Sequence, residues 1–166
     1  MSDPINEPVI EVEIRPTDER DLLYCHGSWA ESYKLSPGNE RMPWGLYKRT
    51  IKPELRVALD DAEVIGAFWG DEIVGWIAVN RGKRVNALHW VHTRFKLVDS
   101  GVELRRRGIM TALVDAAKLG SHIVYTHRGP LPRSGTAKRP ADAWLVPWLA
   151  SRGTYATHVH YQEWRK

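Results

Sequence analysis

Cysteine occurs once in the 166 residues, at Cys25. That excludes an internal disulfide and any cysteine-based metal cluster, and it fits a reducing compartment. Long apolar runs are missing as well. The longest stretches, residues 64–69 and 73–79, are bounded by Gly, Asp and Glu and fall far short of the ~20 residues a membrane span needs. No transmembrane helix and no membrane partner are expected. Residues 1–8 are acidic and proline-containing, without the basic and then apolar order of a secretory signal. They read as a flexible acidic tail on a cytoplasmic protein. Repeats, low-complexity tracts and linkers long enough to separate a second domain are also lacking. Residues 9–166 therefore read as one domain, and a 43% hydrophobic composition is enough for its core.

Charge is present but uneven. Residues 1–21 carry seven acidic and two basic side chains, a balance of −5 in a chain whose total is +4, which leaves +9 for the rest. A basic body suits anionic partners such as cofactor phosphates, a nucleic acid or an acidic protein face, although charge of this size also serves solubility alone.

Periodicity divides the chain. Alternation of Ile10, Val12 and Ile14 with Val9, Glu11 and Glu13 predicts a strand over 9–15, ended by Arg15-Pro16. Thr17-Asp18-Glu19 offers a helix N-cap before Leu22, Leu23, Cys25, His26, Trp29 and Tyr33 at helical spacing. Residues 42–56 are too mixed to assign, with 46–51 able to form a short helix. A hairpin is predicted from strands 63–69 and 72–79 around Gly70-Asp71, followed by a strand over 85–95. Residues 104–119 read as the strongest helix, with Ile109, Leu113, Ala116 and Ala117 on one face and Gly120 as its stop. A fifth strand over 122–126 would lie parallel to the fourth. Residues 141–151 can form a helix interrupted by Pro147, and 155–164 alternate enough for a last strand.

Two segments carry chemistry. Arg105-Arg106-Arg107-Gly108-Ile109-Met110 opens the predicted helix, where unpaired backbone N–H groups and the positive end of the helix dipole face any bound phosphate. Residues 128–140 hold Arg128, Arg133, Lys138 and Arg139 with no acid among them, a loop suited to a phosphate-bearing or acidic acceptor.

The element order, the hairpin sequence 68–77 and the turn at 105–110 together resemble the GNAT superfamily of acyl-CoA-dependent N-acyltransferases. Arg105 to Met110 looks like that family's R/Q-x-x-G-x-G/A turn, with Thr111-Ala112-Leu113 continuing the likeness and Met110 standing where the family has Gly or Ala. Several short segments, among them Ile14-Arg15-Pro16, Leu88-His89-Trp90 and Tyr125-Thr126-His127, also look like small bacteriophage-encoded members. The resemblance implies an α/β (α+β) domain: a mixed, mostly antiparallel central sheet with helices on both faces. It implies acetyl-CoA as cofactor, held by Val91, Arg105, Arg106, Arg107, Gly108, Ile109, Met110 and Thr111.

Acyl transfer to an amine calls for a base, backbone donors at the thioester carbonyl and an acid for the leaving thiolate. Glu103 and His89 are the candidate bases. His89 and His92 fall on opposite faces of a regular strand, so at most one of them faces a substrate. Leu149 stands where many family members have the tyrosine acid, which leaves Tyr125 and Tyr155 as substitutes. His158 and His160 share one strand face in this reading but lack a third ligand, so no metal is expected. Cys25 lies on an amphipathic helix, where a buried thiol is ordinary. Trp44, Trp144 and Trp148 lie near loops and could line an acceptor pocket. The expected activity is acetyl transfer to a small-molecule or macromolecular amine. The alternatives are a phage DNA-associated protein on the same fold, modifying a nucleobase or binding the duplex through the basic loop, and a catalytically inert GNAT-like domain in a larger assembly.

Overall fold

In the computed structural model, residues 11–94, 104, 108–129 and 142–166 are described. The chain runs β1 (Glu13–Pro16), α1 (Glu19–Tyr33), α2 (Trp44–Asp61), β2 (Glu63–Trp69), β3 (Glu72–Asn80), β4 (Asn86–Thr93), α3 (Ile109–Ala117), β5 (His122–Tyr125), α4 (Asp142–Ser151), β6 (Tyr155–His158) and α5 (Tyr161–Arg165). The six strands form one sheet in sequence order. β1 to β4 pair antiparallel, and β5 and β6 then add in parallel to β4 and to each other. The mixed, mostly antiparallel α/β sheet with helices on both faces is thus as the sequence implied.

Sheet alternation divides the core in two. On one face Ile77, Val79, Leu88 and Ile123 pack with Ile109, Leu113 and Ala117 of α3. On the other, Phe68, Trp76, Ala78 and Trp90 pack with Cys25 and Trp29 of α1, Tyr47, Leu55 and Leu59 of α2, and Tyr161 of α5. α3 comes close to the sheet because Gly75 has no side chain. A Cβ there would lie 2.9 Å from the His92 carbonyl and about as near to Ile109 and Leu113.

α1 starts where its cap predicts. The Asp18 side chain accepts from the Asp21 backbone N–H, and the Asp21 side chain accepts from that of Asp18. α2 is an 18-residue helix through Pro53, where the sequence allowed only a short helix over 46–51. It persists because Tyr47, Leu55, Ala58 and Leu59 are buried against α1 and the sheet, and burying such side chains at roughly 1.5–3 kcal/mol each offsets the ~3 kcal/mol an interior proline costs.

Three other boundaries move. α3 begins at Ile109, capped by Gly108 with φ +77°, and ends at Lys118 with φ +48°, so it is shorter than the predicted 104–119. α4 is continuous through Pro147. The predicted last strand stops at His158, and the chain turns at His160, whose side chain caps α5 by accepting from the Gln162 N–H. His158 and His160 therefore do not share a strand face.

Candidate active site

β4 is not a regular strand. Its pairing with β3 runs Ala78 to Trp90 and then Val79 to Leu88, which leaves His89 as the extra residue of a β-bulge. Because of the bulge His89 and Trp90 point to the same face, and His92, stacked on Trp76 at 6.1 Å, lies on that face too. The expectation that His89 and His92 face opposite ways fails for this reason: one inserted residue shifts the alternation by one.

The bulge also ends the pairing of β4 with β5. The two strands match from Asn86 to Leu88, the Thr126 N–H reaches the Leu88 carbonyl at 3.1 Å, and beyond Leu88 the β4 edge has no strand partner among the described residues. The strands part there, at their carboxyl ends, and enclose a cavity of about 60 Å³ lined by Leu88 to Val91, Met110, Tyr125, His127, Gly129, Trp144 and Leu145. The carboxyl ends of parallel strands are where open α/β sheets bind ligands.

One wall of this cleft is a chain of hydrogen-bonding side chains. His89 is 2% exposed, with Nδ1 at 2.6 Å from Thr126 Oγ1 and Nε2 at 2.7 Å from Asn80 Oδ1. Thr126 Oγ1 is also 2.8 Å from Nδ1 of His127, and Asn80 donates to the Asp61 carbonyl at 3.1 Å. The His127 ring sits edge-on to Trp29 at 4.8 Å and Tyr33 at 5.1 Å, and against Tyr161 at 5.2 Å. Burial lowers the pKa of His89 to about 4 and that of His127 well below the ordinary histidine value, so both rings are neutral.

The candidate residues separate clearly. His89, Val91, Met110 and Tyr125 line the cleft, and Gly108, Ile109 and Thr111 belong to the α3 start beside it. Tyr125 also rests on His158 at 5.1 Å. Tyr155 is not at the site: it pairs with His122 at the amino end of β5, three residues and about 10 Å along the strand from Tyr125. Leu149 is sealed in the α3-side core. Cys25 is fully buried and its thiol is pushed up to about 12, so it offers no nucleophile.

Of the tryptophans, Trp144 lines the cleft, Trp148 packs on the core, and Trp44 lies at the surface under Lys34 and Lys48. Arg128 is exposed just past β5, and its carbonyl accepts from Ser36 Oγ at 2.8 Å, tying the α1–α2 loop to this end of the sheet. Glu103, Arg105, Arg106, Arg107, Arg133, Lys138 and Arg139 lie outside the described residues. Sequence reasoning missed Asn80, Thr126 and His127 as site residues. The available signal was that Thr126-His127 stands at the carboxyl end of the strand expected over 122–126, parallel to its neighbour.

No family model and no curated protein matches the chain. Among solved structures, a possible acetyltransferase from Clostridium difficile 630 superposes with a TM-score of 0.52 at 15% identity, over 90% of this chain and 93% of that one. The fold is GNAT-like. Weaker likenesses are to the PaiA N-acetyltransferase of Thermoplasma acidophilum in complex with coenzyme A (19% identity, 65% of this chain and 70% of that one, TM-score 0.44). A ribosomal-protein-alanine N-acetyltransferase from Brucella melitensis biovar Abortus 2308 is similar at 21% identity, over 65% and 71% of the two chains, with a TM-score of 0.40.

Proposed function

We propose that this chain is an acyl-CoA-dependent N-acetyltransferase acting on an amine. The observation that carries the reading is the cleft opened where β4 and β5 part at the His89 bulge, with the start of α3 beside it. The β4 edge beyond Leu88, without a strand partner among the described residues, suits an extended ligand with amide groups, since such an edge offers main-chain donors and acceptors. Leu88, Val91, Met110 and Leu145 give the cleft apolar walls for an aliphatic arm. Gly108 and the first turn of α3 face a phosphate with backbone N–H groups.

Coenzyme A fits this set. Val91 would hold its arm and Gly108, Ile109, Met110 and Thr111 its phosphates, with Arg105, Arg106 and Arg107 adding charge. When bound it supplies the acetyl group as an activated thioester. Met110 does not block the fit, because its side chain is half-buried against the α3-side core, where a flexible thioether packs readily. The protein's own work is to exclude water with Trp90, Trp144 and Leu145, to present strand-edge N–H groups, and to take a proton from the incoming amine.

A thermal melt with millimolar acetyl-CoA tests this. A ligand that binds only the folded state adds roughly 2.7 kcal/mol at a hundredfold excess over Kd, so the midpoint should rise by several degrees. Met110→Gly should retain or enlarge the shift. A melt unchanged by acetyl-CoA in both proteins overturns the proposal.

A further inference from the structure

The hydrogen-bond chain beside the cleft has a direction, and its direction is set at one end by a group that can only accept. The Asp61 carbonyl, at the end of α2, takes the Asn80 Nδ2 donor at 3.1 Å, which fixes the amide and turns Oδ1 toward His89. That oxygen is also an acceptor, so His89 Nε2, 2.7 Å away, must carry a hydrogen and donate it. A neutral His89 then has a bare Nδ1, which accepts the Thr126 hydroxyl hydrogen across 2.6 Å. Having given its one hydrogen, Thr126 Oγ1 accepts, and His127 Nδ1 at 2.8 Å donates. A neutral His127 is left with a bare Nε2, for which no partner is found among the described residues.

From this geometry, and resting on the acetyltransferase reading, we infer that His127 is the proton acceptor for the amine, held in its Nδ1–H tautomer by the chain Asp61 carbonyl, Asn80, His89, Thr126. His89 cannot serve, because both its ring nitrogens are already bonded within the protein. His127 has one nitrogen committed and one in reserve, and it lines the same cleft. In the step, Nε2 takes the proton that the amine nitrogen sheds as it bonds to the thioester carbonyl and the C–S bond breaks, a proton far more acidic than that of a free ammonium and so within reach of a buried neutral imidazole, leaving the amide, the departing thiolate and a His127 imidazolium. The imidazolium still donates through Nδ1 to Thr126, so nothing else in the chain has to turn over. The proton then passes from Nε2 to water at the mouth of the cleft. Of the titratable groups around it, His89 faces His127 from β4, His158 from the end of β6, His160 from the cap of α5, and Tyr33 and Tyr161 from α1 and α5. Among the described residues no carboxylate is one of these neighbours. Asn80, His89 and Thr126 are positioning residues.

The test joins long-range ¹⁵N–¹H NMR of the histidine rings with turnover. At pH 7 the full chain should show His127 protonated at Nδ1 and His89 at Nε2. Thr126→Val should abolish the preference at His127, and Thr126→Ser should restore it. In thiol release from acetyl-CoA with spermidine, tyramine, neamine or an alanine-terminated peptide, His127→Gln should lower kcat by about 10²-fold while the acetyl-CoA melt shift persists. Thr126→Val should lose kcat with little change in KM, and Thr126→Ser should recover it.

The opposite tautomer at His127, an unchanged tautomer in Thr126→Val, or full turnover in His127→Gln overturns the inference. So does a melt shift without thiol release from any of these amines, because a base at the cleft would then serve none of them. Absence of the melt shift itself removes the acetyltransferase reading instead, whatever the tautomers prove to be.

Discussion

Gly75 and Gly108 are required for opposite reasons, and substitution can tell the reasons apart. At Gly108 the backbone has φ +77° and an added Cβ would meet nothing within 4 Å, so the need is conformational. Alanine there costs about 1–2 kcal/mol of left-handed strain, and asparagine, which tolerates that region, should cost less. At Gly75 the need is for space, since a Cβ would press on the His92 carbonyl and on Ile109 and Leu113. Alanine should cost about 1–3 kcal/mol by overpacking, and asparagine more. Urea midpoints for the four variants should therefore rank Asn above Ala at position 108 and Ala above Asn at 75. The same order at both positions would contradict this account. Only part of this was legible in the sequence. That Gly108 sits where a helix opens could be read from Arg-x-x-Gly before an apolar periodic run. That His127 rather than His89 keeps a free nitrogen could not, because it depends on Asn80, 19 residues from Asp61 and 9 from His89, and on Thr126, 37 residues from His89, which only the fold brings together.

Local signals placed most elements, and the failures have local causes. The hairpin of β2 and β3 was legible because Gly70-Asp71 interrupts two apolar runs, and α1 because Asp18 caps it. Replacing Asp18 by Ala should lower the melting midpoint, while Asn, which also accepts from the Asp21 N–H, should hold it. Equal melts for the two would show that the cap contributes nothing. α2 was illegible since residues 42–56 are too mixed to assign, and only the burial of Tyr47, Leu55 and Leu59 carries the helix through Pro53. The bulge in β4 was illegible because nothing in Leu88-His89-Trp90 marks an extra residue, yet it rotates His89 onto the face of His92 and opens the cleft. The end of the chain alternates in sequence, but His160 caps a helix where a strand was expected.

At the scale of the whole molecule, the buried His89 and His127 and the half-buried His92 make stability depend on pH, and the sign follows from their neutrality. Burial lowers His89 and His92 to about 4, with Arg94 adding to the effect at His92. It lowers His127 well below the ordinary value, with His89, His160 and His158 adding to it. In the unfolded chain each titrates near ~6.5. Above that both states are neutral and stability is flat. As pH falls below it, the unfolded chain takes up protons that the folded one refuses, and each histidine costs stability by about 1.4 kcal/mol per pH unit. The loss continues until the pH reaches about 4, where native His89 and His92 protonate and their share levels off. The lowered pKa of Asp18 acts only in the more acidic range of an ordinary carboxylate, below most of this window. Urea midpoints should therefore be constant from pH 8 to 7 and fall steeply from 6.5 to 5. Near pH 5 the summed loss approaches the ~5–15 kcal/mol that holds a domain of this kind together. His92→Asn removes one of the three groups without touching the chain through Thr126, so its slope should be about two-thirds of the wild-type slope. A midpoint that does not change between pH 7 and 5 would mean that these rings are hydrated in the folded protein, and the packing of His127 among Trp29, Tyr33 and Tyr161 would have to be abandoned with it.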